Sequence, residues 1–136
     1  MPCLRSLPTG WTLSEVTVNN GRSVLTLDND RAGMGAMVVR LAATCDPAGA
    51  SPVLSDQPGF RRLMLIQDLA PMFLATRFDV FPGGCVSTRM TAPSASRAEV
   101  TSEASLILGY TTRQSLEQTL AERSGGRLHL NPREPR

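Results

Sequence analysis

Lysine is missing altogether: all fourteen basic residues of this 136-residue chain are Arg. That excludes Schiff-base lysine chemistry and the phosphate-cradling lysine of a P-loop. Histidine occurs once, at position 129, and cysteine three times, at 3, 45 and 85, with no C-x-x-C spacing. A zinc centre asks for about four N, S or O ligands, mostly in close pairs. No metal site and no cofactor is therefore expected. A Cys–His nucleophile would need His129 beside a cysteine, and a lone His on a strand-like segment reads instead as a surface or core side chain. No apolar run approaches the roughly 18 residues of a membrane span, and the longest clusters, at 34–39 and 63–66, are strand-sized. The net charge of +2 is small and scattered, so no nucleic-acid partner is expected. The opening MPCLRSLPTG has neither the basic nor the apolar stretch of a signal peptide.

What the chain does have is an ordinary globular composition and the length for one domain with one core. We read residues 1–10 as an N-terminal arm, 11–131 as a single domain and 132–136 as a disordered tail. The first half is written in period two. WTLSEVTV (11–18) and SVLTLD (23–28) flank Asn20-Gly21, the pair favoured in a type I′ hairpin turn. GAMVVRLAATC (35–45) follows, with Met37, Val39, Leu41, Ala43 and Cys45 on one face. These three strands read as an antiparallel meander. Residues 46–59 hold three Pro and two Gly and read as a long connection. FRRLMLIQ (60–67), FLATRFDVF (73–81) and CVSTRMT (85–91) read as further strands, the last two joined by a Pro-Gly-Gly turn.

The C-terminal third changes period. Ser96-Arg97-Ala98-Glu99 and Thr111-Thr112-Arg113-Gln114 have capping-box form. They predict helices over 97–108 and 112–123, the second stopped by Gly125-Gly126. RLHLN (127–131) reads as a short last strand. The expected class is α+β: an antiparallel sheet of about five to seven strands, covered on one face by two C-terminal helices. The face carrying Val39 and Leu41 is expected to pack against Leu116 and Leu120.

Two motif-like stretches dissolve on inspection. GMGAMV (33–38) lacks the third glycine of a dinucleotide fingerprint and runs into a β-branched strand, not a helix N-terminus. DNDRAG (28–33) has Ala32 and Val39 where a calcium loop needs oxygen ligands. A strand turn accounts for both.

Cys45 leaves one strand and Cys85 follows a hairpin turn, so the two fit a staple between strands; buried free thiols are the alternative. A resemblance bears on this choice. LPTGWTLSEVTVNNGRSVLTLDNDRAG, ATCD with SDQPG, FPGGCV and RSGGRLHLNP together resemble an uncharacterised extracytoplasmic domain of actinobacterial cell-envelope and membrane proteins, over about residues 4–132. In that family an α+β module follows a short cytoplasmic or transmembrane segment, and the residues here include no such apolar anchor. The resemblance implies that Cys45 and Cys85 are the module's disulfide pair and that the surroundings are oxidising; Cys3 is then expected to stay free. It brings no activity, cofactor or catalytic residue.

Two classes of function follow. The first is a non-catalytic extracytoplasmic module that binds a partner protein or envelope component, presenting the turn-rich loops 28–35 and 46–59. The second is a small enzyme with a dispersed site around Asp56, Arg77, Asp79 or His129.

Overall fold

The computed structural model describes residues 2–4, 7–55, 59–110 and 113–127. Seven strands form one antiparallel sheet: β2 (Trp11–Asn19), β3 (Arg22–Asn29), β4 (Gly33–Ala42), β5 (Ser51–Val53), β6 (Arg61–Asp68), β7 (Met72–Phe81) and β8 (Gly84–Pro93). Their spatial order is β2-β3-β4-β8-β7-β6-β5. Two meanders, β2 to β4 and β5 to β8, are therefore joined where β8 returns to lie against β4, with Ala42 opposite Cys85 and Met37 opposite Met90. A separate pair of short strands, β1 (Pro2–Leu4) and β9 (Leu108–Tyr110), brings the N-terminal segment to the end of the first helix.

The two helices are α1 (Arg97–Ile107) and α2 (Arg113–Ser124). α1 follows a short 3-10 turn at Ser94–Ser96 and buries Val100, Ala104 and Ile107. These meet Leu27, Met37, Val39, Phe73, Ala75 and Met90 from one face of the sheet in the main core. Each of the larger side chains among these, from Val to Phe, contributes on the order of 1.5–3 kcal/mol through apolar burial. α1 is thus the cover over Val39 and Leu41. No described side chain of α2 is buried, so the helices cover the sheet loosely. Leu120 is half-buried, and the side chain of Leu116 lies outside those described.

Several local expectations change. The Asn20-Gly21 turn is not type I′, since Gly21 has φ +71° while no other residue type among those described has positive φ; one positive-φ position at the second turn residue is the type II pattern. The connection 46–59 contains β5, which pairs with β6 through Pro52 opposite Leu63. Proline is tolerated there because β5 lies at the sheet edge and needs no outward donor. The capping box at Ser96 does not close through its side chain; Glu99 instead pairs with Arg31 at 2.7 Å, tying α1 to the turn between β3 and β4. α2 ends as expected, with the Gly126 N–H donating to Ala121 O at 2.7 Å and the Gly125 N–H to Glu122 O at 3.4 Å, the two bonds of a Schellman motif. The strand expected at 127–131 and the tail 132–136 fall outside the described residues, apart from Arg127.

Candidate functional site

Strand β4 stops at Ala42, and the chain bends through Ala43 and Thr44 before Cys45. The period-two pattern is therefore broken ahead of the cysteine. Cys85 sits opposite Ala42 and Val80, on the face away from Leu41 and Val86. Cys45 joins it there, not on the side of Met37, Val39 and Leu41 that uninterrupted alternation would give. Cys45 and Cys85 form a disulfide, with Cα atoms 5.9 Å apart and a sequence separation of 40. Closing a loop of that length stabilises the fold by about 4 kcal/mol through the chain entropy it removes from the unfolded state. The bond holds the connection from β4 to β5 over a small second core of Leu63, Phe78 and Cys85, flanked by Ala50, Leu65 and Val80.

Gly84 makes this arrangement possible. A Cβ there would lie 2.9 Å from the Phe81 ring and 3.3 Å from the Ala42 carbonyl oxygen. The Phe81 ring in turn stacks on Phe60, with centroids 5.0 Å apart. So the Gly-Gly turn lets the hairpin lie close against β4, which places Cys85 within reach of Cys45. Beside the disulfide is a cleft of about 210 Å³, bordered by Thr44, Pro47, Arg61, Val80 and Phe81. Of the described residues that line it, Arg61 alone is charged and none is a carboxylate. A site so furnished can seat a small apolar or weakly anionic group; it holds no acid–base pair.

The other candidate residues divide. Arg77 and Asp79 lie two apart on β7, on the face that α1 covers, and both are buried. Asp79 Oδ1 accepts from Arg62 Nε at 2.7 Å, its Oδ2 lies 3.4 Å from Arg77 Nε, and Arg77 Nη1 donates to Ser105 Oγ of α1 at 3.1 Å. The Asp79 side chain is 0% exposed. This is an ion pair sealed within the fold: it orients β6, β7 and α1, and a substrate would have to displace protein to reach it. Asp56 and His129 lie outside the described residues, as does the side chain of Cys3. Sequence reasoning missed Arg62 as the partner of Asp79, because the pairing follows from the register of β6 against β7. The only signal was that Arg62 and Asp79 both stand on alternating strands.

The turn 28–33 is built from its own polar side chains. Asn29 Oδ1 accepts from the backbone N–H of Arg31 and Ala32, each at 2.9 Å. Asp28 Oδ1 accepts from Gly35 N at 2.7 Å. Beyond this turn Met34 is 91% exposed, and beyond β5 Leu54 is 96% exposed. Both belong to the turn-rich segments singled out in the sequence. Apolar side chains so fully in water contribute nothing to the core they leave.

Among the described residues, no three His, Cys, Asp or Glu side chains gather where a metal ion could be held, and no helix is long and apolar enough to cross a membrane. No family model, curated protein or solved structure matches the chain.

Proposed function

We propose that the chain is a non-catalytic extracytoplasmic module that docks a partner protein or envelope component through its loop tips. The carrying observation is the near-complete exposure of Leu54 at the end of the segment that the disulfide anchors. A segment fixed covalently at Cys45 and by β5 pairing with β6 presents Leu54 with little conformational freedom left to lose on binding. Met34 offers a second apolar tip on a turn stiffened by Asn29 and Asp28. A disulfide suits an oxidising compartment, and the sealing of Arg77 and Asp79 favours docking over catalysis.

The test places a photoactivatable cross-linker at position 54 and, as a control, at the exposed position 106. The proteins are then irradiated with membrane and cell-wall fractions of the native host. One discrete adduct from position 54, absent from position 106 and lost on Met34→Asp, supports docking. Equal labelling from both positions overturns it, and so does turnover of a substrate panel that Asp79→Asn abolishes without unfolding the protein.

A further inference from the structure

The two edges of the seven-stranded sheet are managed differently. The β5 edge is three residues long and carries Pro52 at its centre, two devices that stop a foreign strand from adding. The β2 edge is nine residues long, contains no Pro and bears one charge, Glu15. From Ser14 to Asn19 every residue is exposed. Its bulge lies between Leu13 and Glu15, so the stretch beyond, 15–19, pairs regularly with β3. Beyond Glu15, residues 16–19 carry none of the charged side chains that ordinarily deter pairing.

Register fixes which backbone groups point outward. The two-residue loop Asn20-Gly21 makes Asn19 and Arg22 the first hydrogen-bonded pair of the ladder. Alternation then turns the N–H and C=O of Val18 and Val16 away from β3. Their side chains share the face of Leu25, Val39 and Leu41, yet they are 54% and 73% exposed for Val16 and Val18 respectively. The local sequence Val16-Thr17-Val18 reads the same in both directions.

We propose that β2 pairs antiparallel with β2 of a second copy of this chain, about a two-fold axis at Thr17. That register sets Val16 against the second copy's Val18 in hydrogen-bonded pairs and Thr17 against its equivalent. Glu15 meets Asn19, so no like charges oppose one another. The apolar row Val39–Leu25–Val16 continues across the axis into the same face of the second copy, and the sheet grows to fourteen strands. The symmetry is isologous, which closes at the dimer. A foreign strand would satisfy the outward backbone groups equally well; the palindrome and the single charge favour self-pairing.

The contact is small, so it is tested by sedimentation velocity up to roughly millimolar concentration, where interfaces below the standard size register. The wild type is expected to shift toward dimer as concentration rises. Val18→Pro removes an outward N–H while sparing the β2–β3 ladder, and Thr17→Glu sets two carboxylates face to face; each is expected to abolish the shift. With Cys3 replaced by Ser, Thr17→Cys places two thiols in a non-hydrogen-bonded pair at about 4.5 Å between Cα atoms, inside the disulfide range. It should oxidise to a covalent dimer, whereas Thr12→Cys, five positions from the axis, should not. A wild type that stays monomeric overturns the proposal, as does a dimer that survives Thr17→Glu or equal cross-linking from positions 12 and 17.

Discussion

Among the described residues, fourteen buried apolar side chains form one cluster on the face that α1 covers, whereas the cluster at the disulfide holds three, Leu63, Phe78 and Cys85. The first is held by area: Leu27, Met37, Met90 and Ile107 are fully enclosed, and polar clamps from Trp11 to Glu103 and from Arg31 to Glu99 hold the helix at its margin. The second has too little apolar surface to order the connection from β4 to β5 by itself. There a covalent bond replaces area, and its effect falls on the unfolded chain. One sheet thus illustrates two ways to fix a cover. A helix brings its own backbone hydrogen bonds and needs only an apolar stripe, while the segment 43–55, with Pro47 and Pro52, needs an anchor.

Removing the anchor gives the largest expected effect. The Cys45→Ser, Cys85→Ser double variant should lose about 4 kcal/mol in urea unfolding. Hydrogen exchange should rise first in 43–55 and in β5, with α1 still protected. Equal loss of protection in α1 would mean that the two covers are one cooperative unit. Leu27→Ala, on the helix-covered face, should cost about 3 kcal/mol by cavity formation, with the disulfide-side amides unaffected below the global transition. The smallest effect is expected at the helix margin. Glu103→Gln keeps an acceptor for the indole N–H of Trp11 and should cost under about 1 kcal/mol, while Glu103→Ala should cost about 1–2 kcal/mol. Trp11 is the one tryptophan of the chain, so its emission reports directly on that clamp. An unchanged spectrum in Glu103→Ala would show that the Trp11 clamp does not help to hold α1.

Most of the sheet was legible, because period two is a local property. The strands around Asn20-Gly21 and Gly83-Gly84, and the helix starting at Arg97, lie within a residue or two of where pattern and turn residues put them. The turn type at Asn20 was not, since its φ is chosen by the strands it joins. Cys45 and Cys85 were legible as a pair and illegible as to face, because a two-residue bend at 43–44 shifts the alternation. Glu99 satisfies a capping pattern in sequence yet is taken by Arg31, sixty-eight positions away. Position in space, which no local window contains, decided between those two partners. The same holds for Arg62 and Asp79, and for which helix covers Val39.

The junction of β4 with β8 has a kinetic consequence. Each meander is made of neighbours in sequence and can form by hairpin steps, but Met37 must find Met90 and Ala42 must find Cys85 across an interval of more than forty residues. That search is the contact-order barrier of this topology, because the entropy of closing the loop is lost before the pairing repays it. The Cys45–Cys85 bond lies just past the last rung of the same ladder. In an oxidised chain the interval is already closed, so that search is removed from refolding and the β4–β8 ladder can grow from a fixed end.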